Sequence, residues 1–461
     1  MKTPPTRREM LRRASMGFGS LALAGLLSEE GRAEGLQQPH FPPKVKHVIF
    51  CYMSGGVSHV DSFDPKPRLA KEAGKPMPVP IERTMFNDNG AIFPSPWEFR
   101  HYGQSGIEVS DLFPHMGSVV DDLCVIRSMT AKFMEHAQAN FYFHSGQPFT
   151  GFPSMGAWVN YGLGSPSKEL PGFMVLGSGE IPLGGINVFG NGFLPNIYQP
   201  SFLYPERSEP LQDITPKEPD SVQRKRLRFA GELDREYLKS IGGNPQVEAA
   251  IQNYETAFRM QSSVPELVDL KGESEATRKL YGFDSESANT RAYARQCLLA
   301  RRLIERGVRF VELTMVGGAG NVWDQHNKLK EQHTKNAFTV DQPIAGLIKD
   351  LKARGLFEQT LIIWSGEFGR APFVQGSDGR DHNPFGFSLW LAGGGLKRGM
   401  TLGATDEYGY RTVEDTLTIF DLHATVLHLL GLDHERLRFR YGGRDFRLTD
   451  VHGNVIRKIL S

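Results

Sequence analysis

Closely spaced cysteines, an excess of charge of one sign and long hydrophobic runs are all lacking in this sequence of 461 residues. The three cysteines, Cys51, Cys124 and Cys297, lie far apart, which excludes a disulfide framework and a cysteine-based metal or redox motif. Because 53 lysines and arginines balance 52 aspartates and glutamates, no general basic surface for nucleic acid is expected. No apolar run reaches the roughly 20 residues of a membrane-spanning helix, so we expect no transmembrane segment in the mature chain.

The first 33 residues have the order of features typical of a twin-arginine export signal. Arg7 and Arg8 precede a weakly hydrophobic run, 14–27, and the stretch after it ends at Ala33. We therefore expect residues 1–33 to be a signal peptide and residues 34–461 to be exported by the Tat translocase to the periplasm or the medium. The alternative is a basic amphipathic helix at the start of a cytosolic enzyme. The order of arginines, apolar run and small residues favours the signal.

Six short apolar runs predict buried strands. In chain order they are 45–53, 123–128, 173–176, 309–314, 359–364 and 387–392. Residues 291–306 and 340–354 have apolar side chains three and four positions apart, which is helical spacing. Alternating strands and helices predict one α/β domain with a mostly parallel central sheet and helices on both faces. Residues 205–288 are charged and helix-like, and we interpret them as a helical excursion or cap.

Polar residues cluster next to several of the predicted strands. Ligands of a parallel sheet bind beyond the carboxyl ends of its strands, so these residues are candidates for a common site. In chain order they are His59 and Asp61 after the first strand, His136 after the second, Asp324 and His326 after the fourth, Glu367 and Arg370 after the fifth, and Arg380 and His382 before the sixth. Each cluster alone is more typical of a turn or a hydrogen-bonded pair than of a set of ligands. Their recurrence at successive strand ends indicates a site.

Carboxylates and imidazoles that converge from several strand ends are suited to a divalent ion. The mixture of oxygen and nitrogen donors favours zinc or another transition ion over calcium. The sequence therefore predicts one or two ions, with the candidate ligands His59, Asp61, Asp324, His326, Glu367 and His382.

Taken together, these strings resemble the bacterial family called domain of unknown function 1501, which belongs to the alkaline phosphatase and sulfatase superfamily. The resemblance extends from GGVSHVDSFDPKP at 55–67 to YGGRDFRLTD at 441–450. Between them stand WDQH at 323–326, GEFGR at 366–370 and GRDH at 379–382, in the order typical of the family. The resemblance implies an alkaline phosphatase-like fold with a metal-dependent hydrolytic site.

The resemblance also implies roles for individual residues. Asp324 and His326 match the aspartate and nearby histidine of one superfamily metal site, and His382 matches its later histidine. Glu367 stands where the other metal site has the aspartate of an Asp-His pair. Phe368 stands where the histidine of that pair would be, so the second site lacks a ligand.

The aspartate that the superfamily has after the first strand is replaced here by Asp61 or His59. The Cys/Ser-x-Pro-x-Arg motif of sulfatases is missing, and His136 occupies the place of its nucleophile. A formylglycine sulfatase is therefore not expected. His136 is a candidate metal ligand or nucleophile, with a packing histidine as the alternative interpretation. Ser128 and Thr130 are the other candidate nucleophiles.

Three functions remain compatible with these residues. The first is an exported metal-dependent hydrolase of a small phosphate or sulfate ester, with Arg370 and Arg380 gripping the anion unless they are solvent-facing loop residues. The second is a non-catalytic metal-binding or assembly protein on the same fold, favoured by the changes at Phe368 and His136. The third is phosphoglycerate-mutase-like transfer, which is disfavoured because an exported protein has little access to that substrate.

Overall fold

The structure is a computed structural model that describes residues 38–461, apart from residues 85, 179–180, 213, 216–217, 241–244 and 318–319. The predicted export signal, 1–33, lies outside the described residues. The helices are α1 (Pro67–Lys71), α2 (Pro114–Gly117), α3 (His136–Ser145), α4 (Met155–Leu163), α5 (Asp220–Ser240), α6 (Pro245–Val268), α7 (Glu275–Tyr281), α8 (Ala288–Glu305), α9 (Leu329–Ala353) and α10 (Ile419–Leu429). The strands are β1 (His47–Tyr52), β2 (Phe99–Tyr102), β3 (Ile107–Ser110), β4 (Leu123–Thr130), β5 (Phe173–Leu176), β6 (Ser201–Leu203), β7 (Phe310–Leu313), β8 (Thr360–Ser365), β9 (Gly369–Arg370), β10 (His382–Asn383), β11 (Phe387–Gly393), β12 (Met400–Leu402), β13 (Ala404–Thr405), β14 (Thr412–Glu414), β15 (Leu417–Thr418), β16 (Phe439–Tyr441) and β17 (Arg444–Phe446).

Nine of these strands form a mixed, mostly parallel central sheet in the order β12-β4-β11-β8-β1-β7-β5-β6, with β15 also paired to β4. The six predicted strands are all present in it, as β1, β4, β5, β7, β8 and β11, and the predicted fold class is confirmed. β1 lies in the interior of the sheet, in parallel register with β7 and β8. All six of its residues are buried, as a strand covered on both faces requires.

β11 is the main exception to the parallel direction, since it runs antiparallel to both β8 and β4. The chain returns from β8 through a loop and the short β9–β10 pair, without a crossover helix. A parallel neighbour needs such a crossover, and the chain instead turns back beside β8. As a result, the segment before β11 lies at the same edge of the sheet as the segments that follow β1, β4, β7 and β8.

The two faces of the sheet bury separate apolar layers. α8 and α9 cover one face, where Leu298 and Val340 pack in the same cluster as Ile49 of β1. α3, α4 and α10 cover the other face, where Phe143 packs in the same cluster as Phe50. Neighbouring residues of β1 enter different layers because successive side chains of a strand point to opposite faces.

The segment predicted as a helical excursion, 205–288, contains α5, α6 and α7. The two predicted helices at 291–306 and 340–354 correspond to α8 and α9. α8 begins earlier than its apolar spacing indicates, because the Ser287 side chain caps it by accepting a hydrogen bond from the backbone N–H of Thr290. Among the described residues, every helix is too short or too polar to cross a membrane.

Candidate metal centre

Four side chains from separate segments meet at the carboxyl edge of the sheet. His136 is the first residue of α3, Asp324 and His326 lie in the loop between β7 and α9, and His382 begins β10. One nitrogen or oxygen atom of each side chain lies within 4.8 Å of those of the others. His136 and His382 are buried, whereas the Asp324 side chain is 26 % exposed. The cluster therefore opens to solvent on the side of Asp324.

The Nε2 atoms of the three imidazoles surround one oxygen of the carboxylate. Asp324 Oδ1 lies 3.2 Å from Nε2 of His136, 2.8 Å from Nε2 of His326 and 3.2 Å from Nε2 of His382. Arg370 donates to the same oxygen over 2.7 Å. One carboxylate oxygen has about two lone-pair directions, so the four surrounding nitrogens cannot all donate a hydrogen bond to it. Consistent with this, the buried Nε2 atoms of His136 and His326 have no hydrogen-bond partner of acceptable geometry.

The other ring nitrogen of each histidine already faces an oxygen. Nδ1 of His136 donates to Glu367 Oε1 over 2.6 Å, and Nδ1 of His382 donates to the backbone carbonyl of Met134 over 2.5 Å. A side-chain oxygen takes the same position behind His326. Because Nδ1 carries the proton, Nε2 of a neutral ring has a lone pair. Three lone pairs around a carboxylate oxygen repel it in the absence of a cation, so this donor set fits a metal ion.

Burial and these contacts together set the charges in the cluster. Burial lowers the pKa of His382 to about 3, which keeps its ring neutral. Burial also opposes charge on Asp324, but the three histidines and Arg370 outweigh it and hold the pKa of this carboxyl well below its usual range. For His136, burial is outweighed by the nearby carboxylates of Asp324 and Glu367, so the pKa of its ring is raised. The pKa shifts of His136 and His382 have opposite directions because the Glu367 carboxylate lies behind the His136 ring, whereas a neutral backbone carbonyl lies behind the His382 ring.

Glu367 is a buried carboxylate that orients His136 from behind. Its two oxygens each lie 3.0 Å from the backbone N–H of Gly55, and Oε2 accepts from the Tyr52 hydroxyl over 3.2 Å. Gly55 has a φ of 107°, and a Cβ atom there would lie 2.7 Å from the backbone nitrogen of Asp324. Glycine is therefore required where the end of β1 approaches the Asp324 loop.

Arg370, a predicted anion-binding residue, is instead bonded on all sides to protein oxygens. It donates to Asp324 and to the backbone carbonyls of Gly55, Gly56 and Arg380. Its side chain is fully buried. Because its forked donors are used within the protein, Arg370 positions Asp324 and the glycine loop and presents no free pair of donors to an anion.

Arg380 and Asp61 form a buried ion pair, which accounts for two more of the predicted site residues. Nε of Arg380 lies 2.7 Å from Oδ2 of Asp61, and Nη2 lies 3.1 Å from Oδ1. Both side chains are fully buried. His59 is also engaged elsewhere, since its Nε2 donates to the Gly409 carbonyl over 2.7 Å.

The nine predicted site residues therefore fall into three groups. The residues that meet in the cluster are His136, Asp324, His326 and His382. Glu367 and Arg370 lie directly behind the cluster and bond to its members. His59, Asp61 and Arg380 have partners outside the cluster.

Three further contributions to the centre had no signal in the sequence. Gln375 provides the side-chain oxygen that faces Nδ1 of His326. Met134 contributes only its backbone carbonyl, which any residue would carry. Tyr52 is an aromatic residue at the end of an apolar strand, a pattern that favours a core position. Only the folded chain shows that its hydroxyl reaches Glu367.

A mixed α/β sheet with a histidine and aspartate cluster at its carboxyl edge defines a candidate metalloprotein. The family model described as "Protein of unknown function (DUF1501)" matches residues 45–460, and the chain belongs to this family. The family resemblance predicted from the sequence motifs is therefore confirmed. No curated protein is significantly similar to the chain in sequence.

Several solved structures are similar to the chain in fold. The lipoteichoic acid synthase LtaP from Listeria monocytogenes has 8 % identity and a TM-score of 0.41, over 91 % of this chain and 78 % of that one. A protein in the alkaline phosphatase superfamily from Vibrio parahaemolyticus has 10 % identity and a TM-score of 0.37, over 93 % and 76 %. The alkaline phosphatase from the Antarctic bacterium TAB5 has 9 % identity and a TM-score of 0.36, over 86 % and 100 %. These likenesses are distant and concern the fold alone.

The contact between Glu367 and His136 predicts the effect of Glu367→Gln on metal binding. Loss of the carboxylate charge behind the ring makes His136 a weaker donor, and zinc affinity should fall roughly 10- to 100-fold. Calorimetric titration of the metal-free protein with zinc measures this. Glu358→Gln is the matched control, since Glu358 pairs with Arg398 at the surface. Unchanged zinc affinity in Glu367→Gln would show that the carboxylate does not support a metal ligand.

The buried pair of Asp61 and Arg380 predicts a stability defect in Asp61→Asn rather than a loss of metal. Arg380 would remain buried without its counter-charge, which should lower the free energy of unfolding by about 3–5 kcal/mol. Denaturant unfolding gives this value, and titration of the metal-free variant with zinc should show an unchanged affinity. Asp445→Asn, which removes an exposed pair with Arg440, should cost less than about 1 kcal/mol. Loss of zinc from Asp61→Asn at normal stability would identify Asp61 as a ligand.

Proposed function

We propose that this protein is a metal-dependent hydrolase of phosphate or sulfate esters. The observation that carries the proposal is the convergence of three imidazole Nε2 atoms and one carboxylate at a solvent-accessible edge of the sheet. Protein metal sites that catalyse hydrolysis combine a few nitrogen and oxygen donors with an open side for water or substrate. The exposed flank of Asp324 and His326 supplies that open side.

Zinc is the ion that we propose for the site. His136, His326 and His382 offer borderline nitrogen donors and Asp324 offers a hard oxygen, a combination that suits zinc and does not suit calcium. The charge balance also calls for a cation. Asp324 and Glu367 each carry a carboxylate, and among the described residues Arg370 is the one permanent cation bonded to the cluster. One negative charge is thus left for a divalent ion to compensate.

The residues of the site would have two roles: some would bind the ion, and others would position the residues that bind it. The cluster residues would bind the ion, Glu367 would orient His136, and Arg370 would fix Asp324. A divalent ion in such a site polarises an ester oxygen and lowers the pKa of water to roughly 7. The buried walls formed by His136 and His382 limit the approach of substrate to the open side.

The two candidate hydroxyl nucleophiles are engaged elsewhere. Ser128 donates to the backbone carbonyl of Asp415 over 2.7 Å, and Thr130 donates to that of Leu417 over 2.8 Å. Both therefore bond to the segment around β15. His136 has its Nδ1 bonded to Glu367 and its Nε2 directed into the cluster, which supports the role of a ligand over that of a nucleophile.

A non-catalytic metal-binding protein is the second candidate function, and one observation favours it. Arg370 and Arg380 use their guanidinium donors within the protein, so neither offers a preformed fork for an anionic substrate. In this case the site would bind one zinc ion tightly and leave esters intact.

A comparison of wild-type protein with His382→Ala tests the proposal. Zinc-loaded wild type should hydrolyse aryl phosphate or aryl sulfate esters, and removal of zinc by a chelator should abolish the activity. His382→Ala removes a ligand, so its activity should fall by more than the roughly 10- to 100-fold expected for loss of a residue that only supports a ligand. His101→Ala, in the exposed β2–β3 hairpin, should leave activity unchanged. A wild-type protein that holds one zinc ion and turns over no ester would favour the non-catalytic function.

Export by the twin-arginine route is part of the proposal. It is supported by the paired Arg7 and Arg8, the apolar run and the small residues before Glu34. The double change Arg7→Lys with Arg8→Lys should leave the full-length protein in the cytoplasm, whereas the wild type should reach the periplasm or the medium with residues 1–33 removed. Arg12→Lys with Arg13→Lys is the control that keeps the pair intact. Cell fractionation and the mass of the exported protein decide the outcome, and normal export of the first variant would contradict it.

A further inference from the structure

An exposed phenylalanine lies against the histidines of the candidate metal centre. The Phe86 ring is 4.6 Å from the His326 ring, centroid to centroid, and 6.1 Å from the His382 ring. Its plane is tilted by 70° and 74° to the two imidazoles, so it meets them edge to face. Phe86 is 55 % exposed, whereas His382 is buried. The phenyl ring therefore lies on the solvent side of two of the four cluster residues.

The backbone near Phe86 is tied to the segment that supports His326. The Asp88 carboxylate accepts from the backbone N–H of Gly376, over 2.9 Å, and Gly90 donates to the Val374 carbonyl over 2.9 Å. Gln375, which lies between these two positions, faces Nδ1 of His326. The phenyl ring and the histidine are thus held by the same stretch of chain. Such a connection fixes the position of the ring relative to the metal site.

Two further exposed apolar side chains, Leu183 and Ile186, lie in a segment that is bonded to α3. Leu183 is 49 % and Ile186 is 53 % exposed. Leu183 is linked to the site through its backbone, since its carbonyl accepts from the Asn140 side chain over 2.8 Å. Asn140 lies one helical turn beyond His136 in α3. The Leu183 segment is thus bonded to the helix that carries His136.

We propose that Phe86 is a specificity-determining residue that packs against the organic part of the substrate and selects esters with an aromatic or bulky apolar group. This inference rests on the proposed function, because it assigns the substrate class of that same site. A substrate whose anionic group reaches the metal would place its organic group on the exposed side, where the phenyl ring lies. Burial of apolar surface there and edge-to-face ring contact both favour an aromatic group.

The test compares the binding of phenylphosphonate and methylphosphonate, which share an anionic group and cannot be hydrolysed as esters. Calorimetry on zinc-loaded wild type should show tighter binding of phenylphosphonate, by about tenfold, as a single aromatic contact provides. Phe86→Ala should reduce this ratio to near one without changing zinc content. Phe86→Tyr, which keeps the ring, should retain the preference.

Phe149→Ala is the matched control, because Phe149 is a 61 % exposed phenylalanine beyond the far end of α3. At 1.5 Å per residue, the length of α3 separates that end from His136 by roughly 15 Å. This variant should keep the wild-type ratio. Phe86→Leu also removes the ring but keeps an apolar side chain, and it replaces the alanine variant if that variant folds poorly.

The outcomes separate this inference from the proposed function. Equal affinity of the wild type for both phosphonates, or a preference that survives in Phe86→Ala and Phe86→Leu, would overturn the role of Phe86 even if esters are hydrolysed. A preference that depends on Phe86 in a protein without esterase activity would support the recognition role and reject the hydrolase.

Discussion

One carboxylate oxygen facing three imidazole nitrogens is the constraint on which the site depends. Asp324 Oδ1 lies within 3.2 Å of Nε2 of His136, His326 and His382, and it also accepts from Arg370. Four nitrogens surround this oxygen, and it cannot accept a hydrogen bond from all of them. The oxygens behind the rings hold the protons on Nδ1, so the lone pairs turn inward. A divalent ion would resolve the conflict, so the chemistry of the cluster fits a metal ion.

The topology of the sheet explains how residues distant in sequence reach this oxygen. β4, β7 and β8 deliver His136, Asp324 with His326, and Glu367 from their carboxyl ends. β11 runs in the opposite direction, so the residue that precedes it, His382, lies at the same edge. The glycine loop after β1 passes close to Asp324 because its glycines carry no side chain. A wholly parallel sheet would have placed the segment before β11 at the other edge.

The buried arginines show how a charged residue near a site can have a structural role. Arg370 holds the carboxyl edge of the sheet together by bonding Asp324 and three backbone carbonyls, and Arg380 is neutralised by Asp61. Both guanidinium groups therefore bond to oxygens of the protein itself. Recognition of an anionic substrate would fall to the metal ion, and recognition of its organic part to the exposed Phe86 ring beside His326. Different parts of the site would thus bind the anionic group and the organic group of the substrate.

Much of this protein is determined by local sequence. The apolar runs of β1, β4, β5, β7, β8 and β11 and the spacing in α8 and α9 are sufficient to predict the α/β fold, because burial of a strand or a helix face leaves a periodic pattern. The motifs are also sufficient to identify the family and to select Asp324, His326 and His382. Tertiary structure alone decided the rest. Asp61 and Arg380 became each other's partners, His136 joined the cluster, and Gln375, Met134 and Phe86 took places beside it. Such pairings depend on distances between segments that are 49 to 319 residues apart, and a sequence read along the chain does not contain those distances.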